Sequence, residues 1–234
     1  AGENGVQSIT YRVLAEDGVE QSRTVVKTET TQAAKPEIIM VGIQSPFKSV
    51  EISGTLAYIS SANAWIMKAN TGNRREVVNS GDLDGRIFSL SPNRHWLLFS
   101  RSAGEDEKQT INSLWVVDLT QDDPAPIALD VKNVVNYAEW VHGKEATLAY
   151  STVEWRSTAP GWQANNDLQI LTFGEDGKVL ATKALIDTNT GGIYGWWGTS
   201  YSFSPDASEI AYARPDSIGL VDSKAGSQTP IQEF

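Results

Sequence analysis

The sequence predicts an all-β fold, and three observations support this prediction. Short runs of β-branched and aromatic residues recur along the chain, separated by Gly, Pro, Asn and Asp. No segment shows the i, i+3, i+4, i+7 apolar spacing of a capped amphipathic helix. Apolar residues make up 40% of the 234 residues, which is enough for a sizeable core. We therefore expect many short antiparallel strands.

The first 44 residues differ in composition from the rest of the chain. Residues 7–14 and 19–31 are polar runs rich in Thr and Val, and Glu16-Asp17-Gly18 between them is a typical hairpin turn. Strand alternation places the larger apolar side chains of the first run on one face: Ile9, Tyr11 and Val13. These features predict a thin, extended β-hairpin segment over residues 1–44, followed by a linker at residues 45–48.

Several residues of this segment match the pattern of the C-terminal half of a G5 domain. The matching positions are Gly2, Gly5, Thr10 to Val13, Glu16 to Gly18, Ser22, Arg23, Val25, Val26, Glu29, Pro36 and Ile39 to Gly42. G5 domains occur in cell-wall-associated bacterial proteins and are thought to adhere to N-acetylglucosamine-containing polymers. The resemblance therefore implies an extracellular location and attachment to cell-wall polysaccharide. Some G5 domains bind zinc, but this segment has no histidine or cysteine, and we expect no zinc site in it.

An internal repeat begins near residue 49. Residues 88–100 and 201–213 each form a strand, a Ser-Pro-Asn or Ser-Pro-Asp turn and a second strand, and residues 136–150 are a looser copy. Residues 54–59 supply the second strand of a further unit. Third strands follow at residues 64–69, 113–118, 167–173 and 218–222. Units of four strands, spaced about 40 residues apart, are typical of β-propeller blades.

The Ser-Pro-Asp turn makes these units similar to TolB-like and WD40-like propeller blades. We predict that residues 49–234 form a partial β-propeller of about four antiparallel four-stranded blades. Four blades in a half-ring would leave open sheet edges, and most propellers of this kind have about six to eight blades. We therefore expect the chain to be part of a larger ring, with the remaining blades of the same propeller among its partners.

Charge and composition exclude several classes of partner and site. The net charge is −10 and the isoelectric point is about 4.7, so nucleic acid is not an expected partner. No apolar run approaches the roughly 20 residues of a membrane-spanning helix, so we expect no membrane insertion. The chain has no cysteine, which removes disulfides, thiolate metal sites and cysteine nucleophiles.

The sequence offers no convincing catalytic group. The two histidines, His95 and His142, both fall in turns between first and second strands, too far apart to form a triad or a histidine metal site. Asp82-Leu-Asp84-Gly85 has alternate carboxylates that a calcium loop uses, but it lacks the later ligands, and a polar turn between blades is favoured. We therefore predict a non-enzymatic chain without a cofactor, with Asp82 and Asp84 as a weak calcium candidate.

Two loops rich in aromatic residues are the candidate binding site. Residues 154–166 connect the second and third strands of the third unit, and residues 189–199 lead into the fourth unit, so both loops open on the same side. They carry the candidate ligand-binding residues Trp155, Arg156, Trp162, Asn165, Tyr194, Trp196 and Trp197. Flat aromatic rings stack on sugars, and Asn or Arg bind hydroxyl groups, which favours a glycan or peptide ligand. Internal packing of the loop tryptophans is the alternative.

The tryptophans within predicted strands have a different expected role. Trp65, Trp96, Trp115 and Trp140 are expected in the core between blades. Taken together, the sequence favours a non-catalytic cell-surface or secreted binding module with a cell-wall glycan or a protein as ligand. The alternatives are the propeller domain of a larger hydrolase or peptidase, whose Gly-x-Ser-x-Gly motif is absent from this chain, and a protein-interaction scaffold.

Overall fold

The computed structural model describes residues 2–36, 48–190 and 195–234, and every regular element within these ranges is a β-strand. The all-β prediction is therefore confirmed. The chain divides into two compact units, Ala1–Phe47 and Lys48–Phe234. In the ranges given above, there is no helix with the length and hydropathy to span a membrane.

The first unit is a long two-stranded hairpin of β1 (Val6–Glu16) and β2 (Val19–Gln32). Asp17 and Gly18 both have positive φ, 54° and 82°, as a two-residue hairpin turn requires. Both strands are exposed along their whole length, and Arg23 stacks over the ring of Tyr11 at 5.1 Å. The hairpin thus has the thin, coreless character that its sequence predicts.

The second unit contains four antiparallel sheets that follow one another along the chain. Blade 1 (residues 51–78) comprises β3 (Glu51–Ser60), β4 (Asn63–Asn70) and β5 (Arg74–Val78). Blade 2 (residues 83–132) comprises β6 (Leu83–Leu90), β7 (Trp96–Ser102), β8 (Asn112–Asp118) and β9 (Ile127–Lys132).

Blades 3 and 4 repeat the same strand order. Blade 3 (residues 137–186) comprises β10 (Tyr137–Trp140), β11 (Thr147–Ser151), β14 (Leu168–Phe173) and β15 (Val179–Ile186), with the small hairpin β12 (Val153–Trp155) and β13 (Trp162–Ala164) inserted after β11. Blade 4 (residues 200–233) comprises β16 (Ser200–Phe203), β17 (Glu209–Arg214), β18 (Ser217–Asp222) and β19 (Gln228–Glu233). Sequential pairing of neighbouring strands in each sheet is the topology of a propeller blade.

The strand count differs from the sequence analysis in one blade. Within the described residues, blade 1 has three strands rather than four. Blade 4 has the four strands predicted for each blade, and β19 is the last of them. Every residue of β19 is exposed, so no buried face imposes a pattern on its sequence.

Consecutive blades pack face to face and bury both sides of the strands between them. We call the face of a blade that contacts the preceding blade its leading face, and the face that contacts the following blade its trailing face. In β7, Leu97 and Phe99 pack against blade 1, whereas Trp96 and Leu98 pack against blade 3. All four side chains are buried. Alternation along one strand therefore serves two interfaces at once.

Three hydrophobic clusters correspond to the three interfaces between consecutive blades. Ala64, Ile66, Leu97 and Phe99 belong to the interface of blades 1 and 2. At the interface of blades 2 and 3, the rings of Trp96 and Phe173 meet edge to face at 5.1 Å. At the interface of blades 3 and 4, Tyr137 and Tyr201 pack edge to face at 5.4 Å. No comparable cluster of described residues joins blade 4 to blade 1, so the sheets do not close into a ring.

The four strand tryptophans do not share one environment. Trp96 and Trp140 are buried between blades, and Trp115 is half-buried against the interface of blades 1 and 2. Trp65, which we expected between blades, lies on the leading face of blade 1, because it pairs with Tyr58 on the side opposite Ala64 and Ile66. Trp65 is half-buried and belongs to none of the three clusters of described residues between blades, so its place between blades stays a prediction.

The Ser-Pro turns that define the repeat are held by the same hydrogen bonds in blades 2 and 4. Ser91 Oγ accepts from the Trp96 amide at 2.9 Å, and Ser204 Oγ accepts from the Glu209 amide at 3.1 Å. The next polar residue of the turn, Asn93 or Asp206, accepts from the backbone amide two residues later. Hydrogen bonds from Ser204 and Ser208 lower the pKa of Asp206 to about 2. The side chains of the motif thus close the turn themselves.

Replacing one buried and one outward-facing tryptophan tests the packing of the blades. Trp96→Ala should lower the free energy of unfolding by about 3–5 kcal/mol, because it leaves a cavity between blades 2 and 3. Trp197→Ala is the matched control, because 71% of Trp197 is exposed, and it should cost about 1 kcal/mol. Urea unfolding of both variants measures the two losses, and equal losses would contradict the arrangement described.

Candidate functional site

The inserted hairpin of blade 3 carries two of the candidate tryptophans. Trp155 and Trp162 are direct cross-strand partners in β12 and β13, so they lie on the same face of the hairpin. Trp162 is half-buried, whereas 37% of Trp155 is exposed. The hairpin lies at the end of blade 3 where the second strand passes to the third, as the sequence predicts.

A second segment brings two further tryptophans to the same place. Trp196 and Trp197 precede β16. Together with Ala159, Pro160 and Trp162 they line a depression whose volume is about 400 Å³. Trp197 is 71% exposed and Trp196 is 38% exposed. The structure therefore brings Trp162, Trp196 and Trp197 together around one apolar depression, which we call the aromatic groove. Trp155 is outside its lining, and Tyr194 lies outside the described residues.

A buried amide, Asn166, anchors the segment that carries Trp196 and Trp197. Its Nδ2 donates to the carbonyl oxygens of Asn189 and Gly195 at 2.9 and 3.0 Å, and its Oδ1 accepts from the Thr199 hydroxyl at 2.8 Å. Its backbone carbonyl accepts from the Tyr201 hydroxyl at 3.2 Å. Burial raises the pKa of Tyr201 to about 12, so this hydroxyl stays protonated and continues to donate. Asn166 thus connects both ends of the segment to blade 3.

Gly198 also constrains the segment that carries Trp196 and Trp197. Its φ is 86°, a conformation that favours glycine, and a Cβ added there would lie 2.5 Å from Asn136 Nδ2. Any side chain at this position would be strained at this φ and would have to displace the Asn136 side chain. The sequence analysis did not single out Asn166 or Gly198 as site residues. The sequence gives little indication of either role, because Asn and Gly are both common in turns.

The two polar candidates are engaged within the chain. The Arg156 guanidinium donates to Gln163 Oε1 at 2.7 Å and to Glu154 Oε2 at 2.6 Å. Glu154 and Gln163 are cross-strand partners on the face of the hairpin opposite Trp155 and Trp162, so Arg156 is held on that opposite face. Asn165 Nδ2 donates to Thr152 Oγ1 at 2.8 Å and supports the base of the hairpin. Neither side chain belongs to the described lining of the aromatic groove.

A buried carboxylate, Asp167, follows the anchor residue and organises the base of the hairpin. Its two oxygens accept from the Thr152 amide at 2.7 Å, from the hydroxyls of Ser151 and Thr152 at 3.2 and 3.0 Å, and from Gln169 Nε2 at 3.2 Å. The side chain is committed to these four donors. Asp167 therefore holds the hairpin in place and does not face the aromatic groove.

The chemistry of the aromatic groove is that of recognition. Its lining consists of three indoles, a proline and an alanine, which offer flat apolar surface and a few N–H donors. The two histidines lie in or beside turns at the other end of the sheets, where the first strand of a blade passes to the second. Among the described lining residues, none has a side chain that serves as nucleophile or as general base.

The weak calcium candidates are held by partners within blade 2. Asp82 forms a two-pronged ion pair with Arg101, at 2.7 to 2.9 Å, and Asp84 accepts from Ser100, Arg86 and Asn112. Burial opposes ionisation of Asp82, but the hydrogen bonds and charge of Arg101 outweigh it and lower the pKa. Over the described ranges, no group of three or more His, Asp or Glu side chains is placed to hold a metal ion. A calcium site at Asp82 and Asp84 stays a prediction.

Changing the anchor residue tests its structural role. Asn166→Asp keeps the size and the tolerance of positive φ but places carboxylate oxygens against two carbonyl oxygens. We expect the free energy of unfolding to fall by about 2–3 kcal/mol, with greater acrylamide quenching of tryptophan fluorescence. The exposed Asn79→Asp is the control, expected to stay within about 0.5 kcal/mol of the parent chain. An unchanged quenching in Asn166→Asp would rule out the anchoring role.

Comparison with known proteins identifies the first unit. Residues 1–44 match the G5 domain family, which confirms the resemblance found in the sequence. Among curated proteins, none matches this sequence. The family match covers the hairpin unit and does not extend into the blades.

Several solved structures are similar to the chain as a whole. A puromycin hydrolase mutant complexed with PGG has a TM-score of 0.51 at 14% identity, over 80% of this chain and 30% of that one. A nidogen/laminin complex has a TM-score of 0.49 at 10% identity, over 77% of this chain and 62% of that one. The β-propeller domain of the Trilobed protease from Pyrococcus furiosus has a TM-score of 0.42 at 17% identity, over 73% of this chain and 49% of that one.

The chain spans less than two thirds of each of these three structures. At such low identity the similarity concerns the fold alone, and the sheet topology itself carries the propeller assignment. Residues 1–44 are therefore a match to the G5 domain family, and the remainder of the chain consists of antiparallel sheets of the β-propeller type.

Proposed function

We propose that this chain is a non-catalytic extracellular binding module and that its aromatic groove binds N-acetylglucosamine-containing cell-wall polysaccharide. The observation that carries the proposal is the exposure of Trp196 and Trp197 beside Trp162 around an apolar depression. Indoles in water are costly to leave exposed unless a ligand covers them, and the apolar face of a pyranose ring has the size and flatness to do so.

The rigidity of the groove supports the same proposal. The backbone of the segment bearing Trp196 and Trp197 is held by Asn166, and Gly198 allows its conformation, so the positions of the two tryptophans are set before a ligand arrives. A preformed site loses less conformational entropy on binding than a mobile loop does.

The G5 match supports the location and the class of ligand. Members of that family are expected on cell walls, where they adhere to N-acetylglucosamine-containing polymers. A hairpin that attaches to the wall and a groove that binds the same polymer would increase each other's effective affinity. The proposal thus includes an extracellular or cell-wall location and a bacterial cell-wall glycan as partner.

A pull-down on insoluble chitin and on peptidoglycan tests the proposal. The parent chain should bind, and Trp196→Ala/Trp197→Ala should lose most of the binding, by about tenfold or more, since each stacked ring contributes on the order of 1 kcal/mol. Trp65→Ala, a tryptophan on a different surface, is the matched control and should bind as the parent does. Circular dichroism must show that all three are folded at the temperature of the assay.

The outcomes separate the parts of the proposal. Binding retained in the double variant would place the glycan site on the hairpin unit instead of the groove. No binding by the parent chain to either polymer would refute the glycan proposal and favour a protein ligand.

One comparison favours a second candidate function, that of a propeller domain in a larger hydrolase or peptidase. The puromycin hydrolase structure is similar over 80% of this chain but is much longer than it. In that case the groove would contact the substrate of a separate catalytic domain. The gene that encodes this chain distinguishes the two, because the second function requires an adjoining hydrolase domain with its Gly-x-Ser-x-Gly motif.

A further inference from the structure

We propose that a cleft between blades 1 and 2 binds a small phosphate ester that also carries hydroxyl groups, such as a sugar phosphate. The cleft has a volume of about 610 Å³, and its described lining comes from these two blades alone. It lies where the β6–β7 turn and the β8–β9 loop face blade 1, at the end of the sheets opposite the aromatic groove. The proposal is therefore independent of the glycan function.

Three positively charged side chains line the cleft: Lys68, Arg75 and Arg94. No Asp or Glu among the described residues forms an ion pair with any of them. The described lining contains a single carboxylate, that of Asp122, so positive charge is in excess. The chain as a whole carries a net charge of −10, which makes these cations a local exception. A cleft lined mainly by charge of one sign focuses its field on a counter-ion.

Strand alternation directs the two cations of blade 1 toward blade 2. Arg75 is the cross-strand partner of Ile66, which packs in the cluster between blades 1 and 2. Lys68 follows Ile66 by two residues in β4 and therefore lies on the same, trailing face. Ile66 also lines the cleft, so the cleft continues the apolar interface to the surface, where Lys68 is exposed.

The guanidinium of Arg75 is held in the cleft by the loop that follows β8. Its Nη1 donates to the carbonyl oxygens of Gln121 and Asp122 at 2.8 and 2.6 Å. Its Nη2 donates to the carbonyl oxygen of Leu119 at 3.4 Å. Neutral carbonyl groups orient the guanidinium without cancelling its charge, and an oriented guanidinium loses little entropy when it binds a phosphate. Arg75 therefore supplies a cation whose position is set in advance.

Arg94 brings a cation to the cleft from blade 2. It follows Asn93 in the β6–β7 turn and has a φ of 64°. Its side chain reaches blade 1, because a Cβ added to Gly54 would lie 3.9 Å from Arg94 Nη1. In the same turn of blade 4 the corresponding residue is Ala207, with a φ of 55°, so the turn itself does not require a charged side chain. The cations therefore enter the cleft from both blades.

The charge of the lining indicates a phosphate group. A phosphate monoester carries a charge of about −1.5 to −2 at pH 7, which suits three cations and one carboxylate. Arg binds phosphate through two parallel N–H donors, and two of the three cations are Arg. A long polyanion is disfavoured, because the acidic surface of the chain would repel it. The ligand is therefore expected to be a small molecule.

The rest of the lining indicates what is attached to the phosphate. The volume of the cleft is in the range that holds small organic ligands and exceeds what a phosphate ion fills. Ile66 and Leu119 offer apolar surface for one face of a ring. A phosphorylated sugar combines a ring face, hydroxyl groups and a phosphate. The neutral polar side chains that can bind the hydroxyl groups are Thr55, Asn73, Asn93, Thr120 and Gln121.

Titration of the ¹⁵N-labelled full chain with glucose 1-phosphate, at an ionic strength held constant with sodium chloride, tests the proposal. We expect saturable shifts of the backbone signals of Arg94, His95 and residues 119–122, and of the Nε–H signal of Arg75. Inorganic phosphate should shift the same signals with a lower affinity, because it has no sugar to meet the neutral side chains. Glucose should leave these signals unchanged.

Two variants and a matched control establish whether the cations cause the binding. Lys68→Gln and Arg94→Gln each remove one charge at an exposed position and should raise the dissociation constant for glucose 1-phosphate by about fivefold. Lys108→Gln removes the same charge from the β7–β8 loop, at the opposite end of blade 2, and should bind as the parent chain does. Circular dichroism must show that all variants are folded.

The outcomes that would overturn the proposal are distinct. The absence of saturable shifts, or an equal loss of affinity in Lys108→Gln, would refute a specific anion site. Shifts centred instead on Lys183 and Lys224, which lie in a cleft between blades 3 and 4, would refute its location. An equal affinity for inorganic phosphate, or equal shifts with glucose, would refute the assignment to a phosphate ester.

Discussion

The structure depends on one requirement: the strands of an inner blade must bury both of their faces. A run such as Leu97-Leu98-Phe99 has no solvent side, and all three side chains are fully buried. The polar groups that enter these layers are satisfied locally, as when Ser100 Oγ accepts from the Ile87 amide at 3.0 Å. Throughout the described part of the chain, no buried side-chain nitrogen or oxygen lacks a partner. The sheets are therefore a rigid, apolar stack.

This requirement leaves recognition to the loops at the ends of the blades. The hairpin β12–β13 and the segment before β16 extend from such an end and bring their indoles together. Their position is set by Asn166 and Asp167, which lie where the hairpin returns to the blade.

Much of the fold could be predicted from the sequence, because repetition and turn chemistry are local signals. The Ser-Pro-Asn and Ser-Pro-Asp turns place β6–β7 and β16–β17, and Asp17-Gly18 places the first hairpin. The environment of Trp65 could not be predicted, since alternation assigns a residue to a face and does not say what covers that face.

The candidate site was predictable in composition but not in geometry. Trp162, Trp196 and Trp197 come together as expected, whereas Trp155 lies outside the groove and Asn165 supports the hairpin. The anchoring role of Asn166 depends on contacts with residues 23 to 35 positions away, which a single sequence does not reveal.

The most direct test of the central claim is a titration of the ¹⁵N-labelled chain with soluble N-acetylglucosamine oligomers, followed through the indole N–H signals. The account predicts saturable shifts of Trp162, Trp196 and Trp197, with Trp96 and Trp140 unchanged because they are buried between blades. Shifts confined to the backbone signals of the hairpin unit, or no shifts at all, would contradict it.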